Sequence, residues 1–301
     1  MNRTSYSSKL LLFGEYTIIL GAKALAMPLA KFGGHWAFSK QKQEMPLAQQ
    51  SLFQLLQYLQ QHQVDGQAGF ELSLEVFQQE LNRGLYFDAN IPIGYGLGSS
   101  GALTAAVFDR FYCGNKISDL ELLKQKLAQI ESFFHGASSG IDPLICYLNE
   151  AILMESKSQL NQVRVPDWSQ EKEVLFLLNT QQARQTGPLV KIFQEKCEEE
   201  YYRLRCETEL APMNDEAIHA FLQKKWSLLF DCVHEISHFQ LRYFDAMIPE
   251  KFRPIWLDGL SGAAYKLKLC GAGGGGFILG FAKDWAKAKE ALKDYELLKV
   301  F

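Results

Sequence analysis

The sequence has no surplus of basic residues and no long apolar run. Its 301 residues carry 31 Lys and Arg against 34 Asp and Glu, so it lacks the positive charge with which a dedicated nucleic-acid binder neutralises phosphates. No window approaches the roughly 18 apolar residues that span a bilayer. Gly14 and Glu15 interrupt the first apolar run too early for a signal peptide. We therefore expect a cytoplasmic protein with no membrane or nucleic-acid partner.

Paired cysteines are also missing. None of the six forms a C-x-x-C pair, and none stands at metal-ligand spacing with a histidine. Scattered thiols are typical of reduced cytosolic proteins, where they pack as small hydrophobic side chains. They are Cys113, Cys146, Cys197, Cys206, Cys232 and Cys270.

The composition, with 48% hydrophobic and 22% charged residues, is that of an ordinary globular protein and excludes disordered, collagen-like and coiled-coil classes. The length predicts about two domains, which we place at residues 1–170 and 171–301, divided in a polar stretch. Extended segments and amphipathic helical segments are both present along the chain. The patterns predict extended segments at 9–13, 16–20, 24–29, 70–77, 174–178 and 277–281, and helices at 41–63, 102–112, 119–134, 285–298 and from Asp215 onward.

A glycine-rich segment at residues 91–101 predicts a phosphate-binding loop. Gly94, Gly96 and Gly98 leave the main chain bare at every second position, and Ser99 and Ser100 follow where a helix begins. Hydroxyls there can cap free N–H groups and bind phosphate or Mg²⁺, and the helix dipole adds positive charge. The P-loop pattern fails because no lysine follows the glycines. G-x-G-x-x-G is matched at 96–101, but a dinucleotide site also requires an acidic residue at a strand end.

A second cluster, G-A-G-G-G-G at residues 271–276, lies between apolar segments. Each glycine costs backbone entropy on folding, about 0.5–1 kcal/mol relative to alanine. Close approach of this backbone to a ligand or to another segment would justify that cost. A flexible linker is the alternative, but linkers normally have polar flanks.

Three segments in this order resemble the GHMP kinases, the family of galactokinase, homoserine kinase, mevalonate kinase and phosphomevalonate kinase. They are K-L-L-L-F-G-E-Y at 9–16, P-I-G-Y-G-L-G-S-S at 92–100, and the late glycine cluster at 271–276. The resemblance implies a mixed α/β (α+β) fold, with a ribosomal-protein-S5-like N-terminal domain, which binds ATP, and a ferredoxin-like C-terminal domain. It also implies phosphorylation of a small-molecule alcohol, with ATP and Mg²⁺ as the cofactors.

The resemblance also assigns roles to individual residues. Asp142, in H-G-A-S-S-G-I-D-P at 135–143, matches the catalytic base, and Lys9 is expected beside it; Ser100 and Glu131 match the Mg²⁺ ligands. The residues expected to bind the nucleotide are Pro92, Gly94, Gly96, Leu97, Gly98, Ser99, Ser100 and Gly101. Those expected to bind the acceptor are Glu15, Tyr16, His135, Arg184, Thr186, Gly273 and Gly274.

The catalytic segment is most similar to that of the mevalonate kinases, which implies phosphorylation of mevalonate to 5-phosphomevalonate. Ser138 and Pro143 depart from that pattern, where the family has proline and asparagine. Tyr16 and Gly101 replace a histidine and an alanine, and both are more typical of phosphomevalonate kinases. Phosphomevalonate, a sugar or homoserine therefore stay open as acceptors, and a homodimer stays open as the assembly.

Two alternatives from other functional classes remain. A nucleotide-binding relative without activity would not need Lys9, Glu131 and Asp142. The segment from His234 to His238 formally matches the zinc motif H-E-x-x-H, with both histidines on one helix face. A zinc hydrolase would leave all three glycine-centred segments unexplained.

Overall fold

The structure is a computed structural model that describes residues 5–39, 47–64, 71–156, 159–168 and 170–301. The helices are α1 (Leu47–Val64), α2 (Leu74–Asn82), α3 (Ser99–Phe111), α4 (Leu120–His135), α5 (Ile141–Leu148), α6 (Thr186–Lys196), α7 (Glu200–Arg205), α8 (Ala211–Leu222), α9 (Trp226–Tyr243), α10 (Arg253–Ser261) and α11 (Trp285–Ala291). The strands are β1 (Tyr6–Phe13), β2 (Ala24–Phe38), β3 (Leu85–Ala89), β4 (Ala151–Met154), β5 (Leu160–Val163), β6 (Val174–Asn179), β7 (Tyr265–Leu269), β8 (Phe277–Ala282) and β9 (Leu297–Lys299). The predicted mixture of helix and sheet is confirmed.

The described residues divide into two compact units that interleave along the chain. The first unit lies within Met1–Lys9, Pro28–Pro92 and Leu97–Glu150, and the second within Leu10–Met27, Ile93–Gly96 and Ala151–Phe301. Strands β1 and β2 each contribute residues to both units, because each crosses a unit boundary. The domain boundary expected at residue 170 stays a prediction.

The first unit packs its helices on strands β2 and β3. These strands are antiparallel, with register from Gly34 opposite Ala89 to Phe38 opposite Leu85. Aromatic rings fill the interior: Trp36 meets Phe87 at 5.4 Å between centroids, and Phe77 stacks on Phe111 at 4.4 Å. Helices α3 and α5 approach closely because α3 presents small buried residues, including Gly101, Ala102 and Ala105.

The second unit contains an antiparallel sheet of strand order β7-β8-β6-β9. Strand β6 is buried from Val174 to Leu178, which explains its uninterrupted apolar sequence. Gly280 in β8 has no side chain because the ring of Phe176 occupies that space. In the same unit, β4 pairs antiparallel with the first residues of β2 and with β5.

The strand predicted at 70–77 is wrong; residue 70 itself lies outside the described residues. Only Leu72 is extended, bridging Tyr112, and helix α2 begins at Leu74. The buried side chains Leu74, Phe77 and Leu81 follow the three-four spacing of a helix face. In a short window that spacing overlaps the alternation of a strand, so the pattern was ambiguous.

Three other local predictions need correction. Residues Thr17–Leu20 form a 3₁₀ turn and not an extended segment, and the final helix stops at Ala291, before the strand β9 that pairs with β6. Asp215 lies inside α8, because α7 continues through a π turn at Cys206–Leu210 directly into that helix. A proline inside a helix removes a hydrogen bond and crowds the preceding turn, and the wider π turn ends at Leu210, two residues before Pro212. Of the helix predicted at 41–63, residues 41–46 lie outside the described residues, and the rest belongs to α1.

Candidate active site

Lys9 and Asp142 form an ion pair in the first unit. The Lys9 ammonium lies 3.0 Å from Oδ1 of Asp142, with side-chain exposures of 11% and 35%. The main-chain N–H of Lys9 donates to the carbonyl of Leu97 at 2.9 Å, which fixes β1 to the glycine loop. Asp142 lies in the first turn of α5, where the helix dipole favours a negative charge. The pair is ordered, yet the carboxylate stays open enough to meet a ligand.

Gly98 packs directly on this ion pair. Its φ of 71° is the left-handed conformation that glycine adopts without strain, and its carbonyl accepts the first hydrogen bond of α3 from Ala102. A Cβ at this position would lie 2.8 Å from Cγ of Lys9 and 3.5 Å from Oδ2 of Asp142. The predicted phosphate loop therefore brings its backbone against the predicted base and lysine.

The start of α3 meets the end of α4 through Ser100. Its hydroxyl donates to Oε1 of Glu131 at 3.0 Å and lies 3.0 Å from Nε2 of His135. Glu131 and His135 are four residues apart on α4, so their side chains lie on one face of that helix. The structure thus brings both predicted metal ligands together.

Ser138 joins Glu131 to the start of α5. Its hydroxyl donates to Oε2 of Glu131 at 2.5 Å and accepts from the N–H of Gly140, the N-cap residue of α5, at 2.9 Å. We did not predict Ser138 as a site residue. The available signal was its departure from the family's proline, since a proline has no hydroxyl to make these two bonds.

Glu131 is a buried carboxyl. Its burial, together with the nearby Asp142 carboxylate, raises the pKa of Glu131 to about 7, although hydrogen bonds from Ser138 and Ser100 and the charge of Lys9 lower it. Two carboxyls and a hydroxyl are the oxygen ligands that Mg²⁺ prefers, and Mg²⁺ needs few of them because it keeps several waters. A bound divalent cation would remove the charge conflict that disfavours ionised Glu131.

A cleft of about 370 Å³ opens in the first unit beside the start of β1, the middle of β2 and the end of β3. The side chain of Asn90 accepts from the N–H of Gly33 at 2.8 Å, which fixes one wall. Asn90 precedes Pro92 by two residues, so the chain leads from this cleft straight into the glycine loop. The polar residues that line the cleft are Ser5, Ser7, Lys31, His35, Asp88 and Asn90.

In the second unit, Arg184 lies where the early and late glycine loops meet. Its main-chain N–H donates to the carbonyl of Gly94 at 3.0 Å, and Nη1 of its guanidinium donates to Oγ1 of Thr186 at 2.5 Å. A side chain at Gly96 would overlap the guanidinium, and a Cβ at Gly271 would lie 2.9 Å from Nη2. Both glycines therefore leave room for the arginine fork.

The late glycine cluster is an ordered loop and not a flexible linker. The N–H groups of Gly274 and Gly276 donate to the carbonyls of Met247 and Gln182, both at 2.6 Å. Residues 273–276 all have positive φ, and a side chain at Gly273 would overlap the main chain of Met247. The backbone of this loop therefore makes its close approach, as expected, to neighbouring segments of the second unit.

Glu15 and Tyr16 direct their polar groups into the protein interior. The Glu15 carboxylate is 2.5 Å from the ammonium of Lys268, with exposures of 2% and 0%. The Tyr16 hydroxyl donates to the carbonyl of Ala272 at 2.6 Å, and burial raises the pKa of that hydroxyl. Sequence reasoning missed Lys268, which sits 253 residues from its partner.

The H-E-x-x-H segment lies on α9, where His234 is half-buried and Glu235 and His238 are exposed. Among the described residues, no group of three or more His, Cys, Asp or Glu side chains is arranged to hold a metal ion. Nor is any helix in those ranges long and apolar enough to cross a membrane.

Comparisons with known proteins match this chain to GHMP kinases. Residues 47–150 match the family model of the GHMP kinases N terminal domain. Mevalonate kinase from Pyrococcus abyssi (strain GE5 / Orsay) is 27% identical over 168 residues, which covers 47% of this chain and 47% of that protein. The structure of L. major mevalonate kinase in complex with R-mevalonate matches with a TM-score of 0.65 at 16% identity, covering 99% of this chain and 96% of that one. Streptococcus pneumoniae phosphomevalonate kinase in complex with phosphomevalonate and AMPPNP also gives 0.65, at 18% identity, covering 99% and 100%.

Residues 47–150 therefore match the GHMP kinase N-terminal domain, and the chain has the fold of the GHMP kinases. The resemblance found in the three glycine-centred segments is confirmed at this level. The match spans about half the length of the curated relatives, 47% for the two Pyrococcus proteins and 48% for that of Thermococcus onnurineus.

Proposed function

We propose that the protein is an ATP-dependent small-molecule kinase that transfers a phosphoryl group to the primary hydroxyl of mevalonate. The observation that carries this proposal is the Lys9–Asp142 ion pair packed against Gly98 of the glycine loop. Phosphoryl transfer demands little covalent chemistry from a protein. It demands an acceptor oxygen in line with the γ-phosphoryl, and neutralisation of the charge that spreads over it.

Asp142 is the proposed general base. Its carboxylate would accept the proton of the acceptor hydroxyl as the oxygen attacks phosphorus. Lys9, 3.0 Å away, would hold the Asp142 carboxylate in place and stabilise the negative charge of the transferring group. A protein that only binds nucleotide would need neither the proton acceptor nor the neighbouring cation.

The nucleotide would lie along the glycine loop, with its phosphates at the N-terminus of α3. Free N–H groups and the helix dipole favour polyphosphate there. The cleft before the loop is the proposed place of the nucleoside. Residues proposed to line the nucleotide are Pro92, Gly94, Gly96, Leu97, Gly98, Ser99, Ser100 and Gly101.

Ser100 and Glu131 would hold the Mg²⁺ ion, and their oxygens fit it because they already share a hydrogen bond of 3.0 Å. When bound, Mg²⁺ neutralises charge on the β- and γ-phosphates. His135, 3.0 Å from the same hydroxyl, would orient Ser100 for that role and border the acceptor.

The acceptor would be bound through its carboxylate by Arg184. The guanidinium is a planar fork suited to a carboxylate, and its bond to Thr186 orients it. Gly273 and Gly274 are the proposed main-chain contacts of the acceptor. Phosphomevalonate is the second candidate, because Tyr16 and Gly101 are typical of kinases for that acceptor.

The test is ADP release with Mg²⁺–ATP and one acceptor at a time: mevalonate, phosphomevalonate, homoserine, galactose or none. Release that requires mevalonate supports the proposal. Release with phosphomevalonate alone supports the second candidate. Bound ATP without release under any acceptor would refute the proposed reaction.

A further inference from the structure

Glu15 and Tyr16 are consecutive, and both reach the late glycine loop of the second unit. The Glu15 carboxylate accepts a hydrogen bond from the N–H of Gly271, and the Tyr16 hydroxyl donates to the carbonyl of Ala272 at 2.6 Å. The two contacts hold neighbouring peptide groups at the start of the loop. Both side chains are buried, so neither polar group faces solvent.

Lys268 completes this arrangement from the strand that leads into the loop. Its ammonium donates to Oε1 of Glu15 at 2.5 Å and to the carbonyls of Leu12 and Leu269 at 2.8 and 2.9 Å. An ammonium has three N–H donors, and all three have partners here. With its side chain fully buried, Lys268 has no donor left for a ligand.

The backbone of Tyr16 is held in a conformation that side-chain-bearing residues seldom adopt, with φ 66° and ψ −43°. Such residues persist only where the surroundings fix them. Here the ring packs between Phe193 at 4.7 Å and Phe244 at 5.2 Å, and the hydroxyl is tied to Ala272. The packing therefore sets the direction of the hydroxyl toward the loop.

We propose that Glu15, Tyr16 and Lys268 form a clamp that fixes the glycine loop 271–276, and that they are positioning residues which do not bind the acceptor through their polar groups. The kinetic part of this inference rests on the proposed kinase function. It follows that the hydroxyl of Tyr16 sets the position of the loop and does not contact the acceptor.

The test compares Tyr16→Phe with Tyr265→Phe. Both changes remove one buried hydroxyl that donates to a main-chain carbonyl: Ala272 at 2.6 Å for Tyr16, and Ile255 at 2.8 Å for Tyr265. Phenylalanine keeps each ring, so both variants are expected to fold. Amide hydrogen exchange of the peptide containing residues 271–276 is measured in the wild type and both variants, together with kcat and KM for each accepted acceptor.

The clamp predicts about tenfold faster exchange of the loop peptide in Tyr16→Phe and unchanged exchange of that peptide in Tyr265→Phe. It also predicts that KM rises by a similar factor for every acceptor used, with the order of preference unchanged. Equal loop exchange in the two variants would overturn the clamp, as would loss of one acceptor alone, which would mean direct contact. Hydrogen exchange needs no turnover, so an inactive wild type would refute the kinase proposal and leave the clamp test intact.

Discussion

The spacing between helices α3 and α5 makes Gly101→Ala an informative variant. Gly101 lies in the first turn of α3, where a Cβ would sit 2.9 Å from the carbonyl carbon of Asp142 and 3.0 Å from its Cβ. Nonbonded carbon atoms normally lie about 3.5–4.0 Å apart. The start of α5, and Asp142 with it, must therefore move by roughly half an ångström or more.

Two opposing contributions determine the stability of this variant. Alanine in a helix gains up to about 1 kcal/mol over glycine, whereas overpacking a close contact costs about 1–3 kcal/mol. We expect a net loss of about 1 kcal/mol. Gly187→Ala in α6 is the matched control, because no atom lies within 4 Å of its added methyl group, so it should gain stability.

The same displacement should reduce catalysis. A shift of about 1 Å in a reacting group can cost about 100-fold in rate. We therefore expect kcat of Gly101→Ala to fall by roughly 10- to 100-fold. Steady-state kinetics and thermal unfolding of both variants check this. If Gly101→Ala is stabilised as much as Gly187→Ala and keeps wild-type kcat, the contact between α3 and α5 does not set the position of Asp142.

Three further predictions concern Glu131, Lys268 and Ser138. Burial raises the pKa of Glu131 to about 7, so protonated Glu131 stabilises the folded protein fully below pH 4.5, and this contribution is lost as the pH rises through 7. Glu131→Gln should therefore raise the free energy of unfolding of the metal-free protein by about 3 kcal/mol at pH 8. An equal effect at pH 5 would contradict this. Lys268→Met should lower the free energy of unfolding, measured in urea, by about 3–5 kcal/mol, because it leaves the buried Glu15 without its ion-pair partner. The double variant with Glu15→Gln should recover most of the loss. Ser138→Ala should raise the Mg²⁺ concentration for half-maximal activity about tenfold, and Ser138→Thr should restore it; no difference between them would contradict a role in holding Glu131.

Local sequence signals predicted the loops and helix starts of the site. Gly98 followed by two serines predicted the start of a helix, and α3 begins at Ser99. Asp119 at the start of a regular apolar spacing marked α4, and its side chain caps that helix by accepting from the N–H of Leu122. These features depend on residues close together in the chain, so a single sequence contains the information.

Contacts between distant segments could not be predicted in the same way. No residue near Glu15 in the sequence indicates that its carboxylate pairs with Lys268, which is 253 positions away. The two hydrogen bonds of Ser138 depend on how α4 and α5 pack, which a spacing pattern does not encode. The family resemblance assigned Asp142 its role, and only the structure shows that a side chain at Gly98 or Gly101 would crowd it.

The most direct test of the central claim is the mass of the acceptor after incubation with Mg²⁺–ATP, for the wild type and for Asp142→Asn. We predict that mevalonate gains one phosphoryl group with the wild-type protein. We also predict that Asp142→Asn, which still binds ATP, makes at least about 1,000 times less product because the general base is absent. Near-normal product with Asp142→Asn would contradict the account, since the Lys9–Asp142 pair would then not carry the transfer.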